Sequence, residues 1–266
     1  MPCRGPILLQ LTLFSAACSR ATAPSAATVE PSIQPADETS EEPGDEAEGV
    51  GDELPAMPSF RPVLGSLAAE GERELAMVRS THYTHRTNVD ESLGRFDYDC
   101  SGFVSYAMAR VAPAAYEAVH SFAAHRPLAR DYVAWILSLS GASRASWAPI
   151  PTVQSLRAGD VVAWLKPASV VSRNTGHVMI VMGSPRSRSA SEWVVPIIDS
   201  SAMAHGSGDA RKAAHETGLG RATVVLVVDA SGSPVAYRWS EWARSPVLPT
   251  QIVLARIDAG HQAKPR

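Results

Sequence analysis

From Arg61 onward the chain carries two successive periods of apolar and polar positions. In "VLGSLAAEGERELAMVRSTHY", Leu64, Leu67, Ala68, Leu75, Met77 and Val78 fall at spacings that fit one helical face, and "THRTNVDESLGRFDYD" after it reads as a polar loop. A second helix is predicted to start around Asp99 to Ser101. It carries Phe103, Val104, Ala107, Met108 and Val111 near the helical period and is stopped by Pro113. Two further helices are expected around 114–124 and 128–139. After Pro151 the runs become short and β-rich: "AGDVVAWL", "GHVMIVMGS", "EWVVPIIDSS", "ATVVLVVDASGSPVAYRWSE" and "QIVLARID", separated by Gly, Ser, Pro and Asn, with "DASGS" as a hairpin signal. Helices first and strands afterwards predict an α+β domain built on an antiparallel sheet.

The N-terminal part follows different rules. Residues 1–18 combine Arg4, an apolar run from Ile7 to Phe14 and small residues before Cys18, the layout of a secretory signal and too short for a permanent membrane span. "SAAC" resembles a bacterial lipoprotein cleavage box, with Ser15 in place of the usual leucine. That likeness marks Cys18 for lipidation and the protein for export, to the periplasm or cell envelope, with a lipid as membrane anchor. Residues 19–60 read as a disordered linker, because ten Asp or Glu and no Lys or Arg lie between Glu30 and Glu53, among Pro, Gly, Ser and Ala. The predicted catalytic domain, 61–260, follows. Beyond residue 53 the chain has 22 bases against 17 acids, a net charge of +5, which suits an anionic polymer.

Cys100 is the only cysteine after Cys18, so no disulfide within the domain explains it. It sits in "YDCSG" at a predicted helix start, where unpaired backbone N–H groups and the positive end of the macrodipole stabilise a thiolate and can form an oxyanion hole. A nucleophile there needs a base. Of eight histidines, His177 opens "HVMIVMGS" at the start of a strand, where its ring can face the cysteine helix. A third polar group should orient the imidazole. Asp199, at the end of the strand "WVVPIID", lies beside the start of the His177 strand if the two pair antiparallel. His205 is a rival for that role.

"FDYDCSGFVSYAM", "LRAGDVVAW" and "TGHVMIVMGS", in that order over roughly residues 65–201, resemble the NlpC-type cysteine peptidases, papain-like enzymes that cut peptides of the bacterial cell wall. The resemblance implies a papain-like fold with the nucleophile at a helix start packed on the sheet. It implies Cys100 as nucleophile, His177 as base and the polar residue of the next strand, here Asp199, as orienter. It further implies that Asp99, Ser101 and Tyr83 hold the free amine and backbone of a stem peptide. The activity implied is hydrolysis of amide bonds in peptidoglycan peptides, specifically by a γ-D-glutamyl–diamino acid endopeptidase. An N-acetylmuramoyl-L-alanine amidase is the near alternative, and a catalytically silent wall-binding lipoprotein of the same fold the alternative from another class.

Two departures from the family pattern bear on substrate choice. The helices at Tyr116–His125 and Leu128–Leu139 lengthen the gap after Cys100 and offer a wall or lid over the cleft. The segment "SSAMAHGSGDARKAAHETGLGRA" after Asp199 reads either as a solvent loop or as a flap bearing substrate contacts, with His205 and the bidentate fork of Arg211 as the contacting groups. His82 and His85 in "THYTH" lack the Cys or acid cluster of a metal site, so no metal and no cofactor is expected. No P-loop, dinucleotide fingerprint or concentrated basic stripe points to nucleotides or nucleic acid.

Overall fold

The computed structural model describes residues 66–211 and 217–258. The leader with Cys18 and the linker at 19–60 lie outside these residues. Helix α1 (Leu67–Met77) is followed by a hairpin of β1 (Asn88–Asp90) and β2 (Arg95–Asp97), then by α2 (Cys100–Val111), α3 (Pro113–Ala123) and α4 (Ala129–Ser138). The strands are β3 (Trp147–Pro149), β4 (Val161–Leu165), β5 (Gly176–Val181), β6 (Arg186–Ser187), β7 (Glu192–Ser201), β8 (Gly218–Val228), β9 (Pro234–Arg238), β10 (Leu248–Pro249) and β11 (Ile252–Ile257). The predicted α+β class holds, with one large antiparallel sheet in the order β10-β9-β8-β7-β5-β4-β11-β3 and β6 on the edge of β7. The stretch expected to be a polar loop instead contains the β1–β2 hairpin, pairing Asn88 with Asp97 and Asp90 with Arg95.

Local chemistry starts the helices where the fold needs them. Ser66 caps α1 by accepting from the Ala69 N–H, and Asp99 caps α2 by accepting from the Gly102 N–H, so the second helix begins at Cys100 itself. Pro113 both ends α2 and occupies the first turn of α3, where its missing N–H costs nothing.

Alternation along the strands divides the core in two. Val161, Ala163, Val178, Ile180 and Ile198 face the helices and pack with Phe103, Ala107, Tyr132 and Trp147. Val162, Trp164, Met179, Val181 and Ile197 face the other way and pack with Val224, Leu226, Tyr237 and Leu254. Trp164 of β4 stacks on Tyr237 of β9 with centroids 4.2 Å apart, although three strands lie between theirs in the sheet. The sheet is therefore curled, and its second face closes on a core of its own.

Helix α1 buries a face other than the one its apolar spacing suggests. Leu67, Ala68, Glu70, Gly71 and Glu74 point inward, while Leu75 and Met77 are half-buried. Glu70 is matched by Arg73 and Arg110, and Glu74 accepts from the Tyr98 hydroxyl at 2.5 Å. Burial raises the Glu74 pKa to about 8, against the opposing Tyr98 bond. Tyr98 immediately precedes Asp99, so this contact anchors the approach to the cysteine helix.

The sign of the resulting pH dependence follows from which state holds the proton. The unfolded chain releases the Glu74 proton near its ordinary pKa of 4.5, whereas the folded chain keeps it to about 8, so stability falls as pH rises across that window. Glu74→Gln, which cannot ionise, should gain stability relative to wild type between pH 5 and pH 8. Urea denaturation at the two pH values should show a gain larger at pH 8 than at pH 5 by about 3 kcal/mol.

Candidate active site

Cys100 is buried at the first position of α2, on the floor of a cleft of about 290 Å³ that Tyr83, Asp99, Ser101, Arg126 and Arg173 also line. His177 reaches it from the start of β5. The backbone there is set by register: Leu165 lies opposite Gly176 and Trp164 opposite His177. Gly176 has φ +152°, and a Cβ on it would fall 1.9 Å from the Trp164 carbonyl oxygen. Only glycine lets β5 enter the sheet this close to β4, so the "TGH" glycine places the histidine.

Asp199 stands on β7, which runs antiparallel to β5 with Ile180 opposite Ile198. The strand continues to Ser201 and pairs Asp199 with Gly220 of β8, so the carboxylate sits inside the sheet rather than at its end. His177 Nε2 and Asp199 Oδ2 are 2.6 Å apart. That contact leaves Nδ1 as the ring nitrogen toward Cys100. Burial disfavours the imidazolium of His177, but the Cys100 sulfur and the Asp199 carboxylate outweigh it through charge and hydrogen bonding, and the pKa is pushed up to about 9.

His205 stands behind Asp199 rather than beside the thiol. Its Nε2 is 2.8 Å from the same Asp199 Oδ2, its Nδ1 is 3.0 Å from the Trp239 carbonyl oxygen, and its ring stacks on Trp239 with centroids 3.8 Å apart. Both ring nitrogens face oxygen acceptors, so both bonds form together only when both carry protons. Arg211 grips the other carboxylate oxygen, donating from Nη2 to Asp199 Oδ1 at 2.8 Å and from Nη1 to the Asp199 and Gly218 carbonyls. Nη2 also donates to Asp209 Oδ2 at 2.7 Å, and the His205 N–H closes the cluster on the same oxygen. Gly220 is the seat of that guanidinium: a Cβ there would lie 2.7 Å from Arg211 Nε.

The expectation of a solvent loop or substrate flap after Asp199 is therefore corrected. His205, Asp209 and Arg211 are all buried and saturated by one another, by Asp199 and by backbone oxygens. Chain polarity misled because these groups satisfy each other inside the protein. Burial alone would protonate Asp199. Arg211, His205 and the bonds from both histidines hold its carboxyl well below the ordinary carboxylate range.

His177, Asp199 and His205 also form the one cluster with metal-ligand composition among the described residues. Tetrahedral ligands about 2.1 Å from a zinc ion lie roughly 3.4 Å from one another. The contacts here are 2.6 and 2.8 Å, with Arg211 on the second oxygen, so the trio is spaced as hydrogen-bonded groups.

Asp99 and Ser101 line the cleft, but they are engaged. Arg126, from the turn between α3 and α4, donates to Asp99 Oδ1 and Oδ2 at 2.9 and 2.8 Å and to Ser101 Oγ at 3.1 Å. Asp99 also accepts from Gly102 N, Ser101 Oγ and His85 Nδ1. Together these hold its carboxyl well below the usual range, although burial pushes the other way. Tyr83 is raised, first by burial and then by the negative charge of Cys100 and Asp99, so its hydroxyl stays a donor. Arg126 carries no motif and was invisible in the sequence.

Compared with known proteins, the chain matches no family model, no curated protein and no solved structure. What the site can do rests on its own geometry.

Two outcomes follow. NMR titration of the His177 ring should give a midpoint near pH 9, with the imidazolium lost as pH rises through it, and in Asp199→Asn the midpoint should fall by at least about one unit. Arg211→Met should leave Asp209 without its cation and Asp199 held by the two histidines alone, and lower stability in urea by about 3–5 kcal/mol.

Proposed function

We propose that this chain is an exported thiol hydrolase of papain-like arrangement that cleaves amide bonds in peptidoglycan peptides. The observation that carries the reading is the buried line from Cys100 through His177 to Asp199, with the sulfur at a helix start and open to a cleft. Residues 1–60 fit as leader and spacer, with Cys18 as the acyl-anchor site. The order of the three motifs, shared with the NlpC-type peptidases, supports the cell wall as the source of substrate.

Hydrolysis on these groups has a defined course. The Cys100 thiolate adds to the amide carbonyl carbon, and the oxygen that becomes negative is stabilised by N–H groups of the first turn of α2, Cys100 and Ser101 being ahead of any intrahelical acceptor. The Gly102 N–H is already committed to Asp99 and does not contribute. His177, held as imidazolium beside Asp199, passes its Nδ1 proton to the leaving nitrogen as the C–N bond breaks, which leaves a thioester on Cys100. Neutral His177 then takes a proton from water as the hydroxyl adds to the thioester. Collapse expels the thiolate, restores the imidazolium and releases a carboxylic acid. Asp199 keeps the ring in one orientation throughout, and His205 and Arg211 keep Asp199 ionised.

Within this chemistry the bond we favour is γ-D-glutamyl–diamino acid. Purified muropeptides digested with the protein should yield products ending in D-glutamate by mass spectrometry. Release of intact stem peptides from glycan would identify an amidase instead, and no products from any wall chemotype would identify a silent binding protein. Cys100→Ala should reduce turnover to background while leaving circular dichroism and the unfolding midpoint close to wild type. Retained turnover would end the thiol mechanism.

A further inference from the structure

The cleft beside Cys100 differs in charge from one that receives a free amine. Among the described residues Asp99 is the only acid lining it. An ionised carboxylate has about four lone-pair positions. Asp99 already accepts from Gly102 N, Ser101 Oγ, both terminal nitrogens of Arg126 and His85 Nδ1. An incoming ammonium would find no vacant oxygen, and it would meet the Arg126 guanidinium on the same carboxylate.

Arg126 cancels the charge of Asp99, and in the proposed mechanism the Cys100 thiolate and the His177 imidazolium cancel each other. Arg173 then remains. It is exposed, it lines the same cleft, and among the described residues it makes no ion pair. The Tyr83 hydroxyl adds a neutral donor. The lining is thus cationic in sum and rich in N–H and O–H donors, the complement of a carboxylate.

We propose that the cleft selects an acyl group bearing a carboxylate close to the scissile carbonyl, with Arg126 and Arg173 as the selecting residues, and that a free amine on the substrate is not required. This deepens the peptidase reading and rests on it for the nature of the bond. A γ-linked glutamyl residue has the chemistry described, since its α-carboxylate stays free next to the chain that ends in the reacting carbonyl. Arg126 comes from the turn that joins α3 and α4, so this added helical pair changes the selected charge as well as adding a wall.

The charge of the cleft can be read without turnover. Cys100 is modified at low ionic strength with 2-sulfonatoethyl methanethiosulfonate, an anion, and with 2-(trimethylammonium)ethyl methanethiosulfonate, a cation, with rates located to Cys100 by mass spectrometry and normalised to 2-mercaptoethanol. The anionic reagent should react faster by about tenfold or more. Arg173→Glu, a change at an exposed position, should remove most of that preference, and Arg126→Ala, which uncovers Asp99, should reverse it. Equal rates, or a faster cation, in wild type would overturn the proposal. In parallel, L-alanyl-γ-D-glutamyl-L-lysine is compared with its glutamyl α-carboxamide, each with a free or acetylated N-terminus. Amidation should lower kcat/KM by about tenfold or more, and acetylation by less than about threefold. A larger loss on acetylation than on amidation would overturn the selection while leaving the peptidase reading intact. An anionic preference in the thiol reaction with no cleavage of any of the four peptides would overturn the peptidase reading and support the cationic, anion-selecting cleft.

Discussion

An ionised carboxylate with no access to water is the constraint around which this protein is arranged. Asp199 is fully buried, and a lone charge there would be untenable. Arg211 takes one oxygen and the two histidines share the other. Arg211 in turn needs a second anion and a flat seat, which Asp209 and Gly220 supply. The long β7–β8 ladder, which aligns Asp199 with Gly220, puts these groups in register. His205 spans from the carboxylate to the Trp239 backbone and ties the site to the segment after β9. Much of the far half of the sheet thus serves to hold one negative charge beneath His177.

The cleft side obeys a different balance. There the charged groups are partly wet, Arg126 being about a quarter exposed at its side chain and Arg173 open to solvent. Arg126 is matched by Asp99 at the edge of water and Arg173 faces solvent with no ion pair among the described residues, whereas the Arg211 cluster is consumed internally. Arginines from polar stretches of the chain can therefore be put to opposite uses, and burial decides which. Neither use can be told from residue type.

That contrast marks how far the sequence could be read. Period-two runs located β4, β5, β7, β8, β9 and β11, because each strand has at least one buried face. The "DCSG" and "TGH" motifs located Cys100 and His177, because a helix start and a tight strand entry both need small residues at fixed offsets. Asp199 followed from antiparallel adjacency alone. The inward face of α1 was misjudged because Glu70 is matched by Arg110 from α2, and burial keeps the proton on Glu74 beneath the Tyr98 hydroxyl. Arg126 was missed for the same reason: its role exists only once α2 and the α3–α4 turn meet. Charged side chains whose partners are remote in the chain look like surface until the fold is known.

Ser200, next to Asp199, donates its hydroxyl at 2.5 Å to the carbonyl of Tyr98, two residues before Cys100 and 102 positions away in the chain. The Tyr83 N–H likewise reaches Thr217 across 134 positions. Closing loops of that length is entropically expensive and is completed only when the sheet and the helices have already met. The thiol and its imidazole therefore meet only as the helices pack on the sheet. In the extended chain the thiol and the imidazole are apart, so any reactivity of this centre begins only where folding ends.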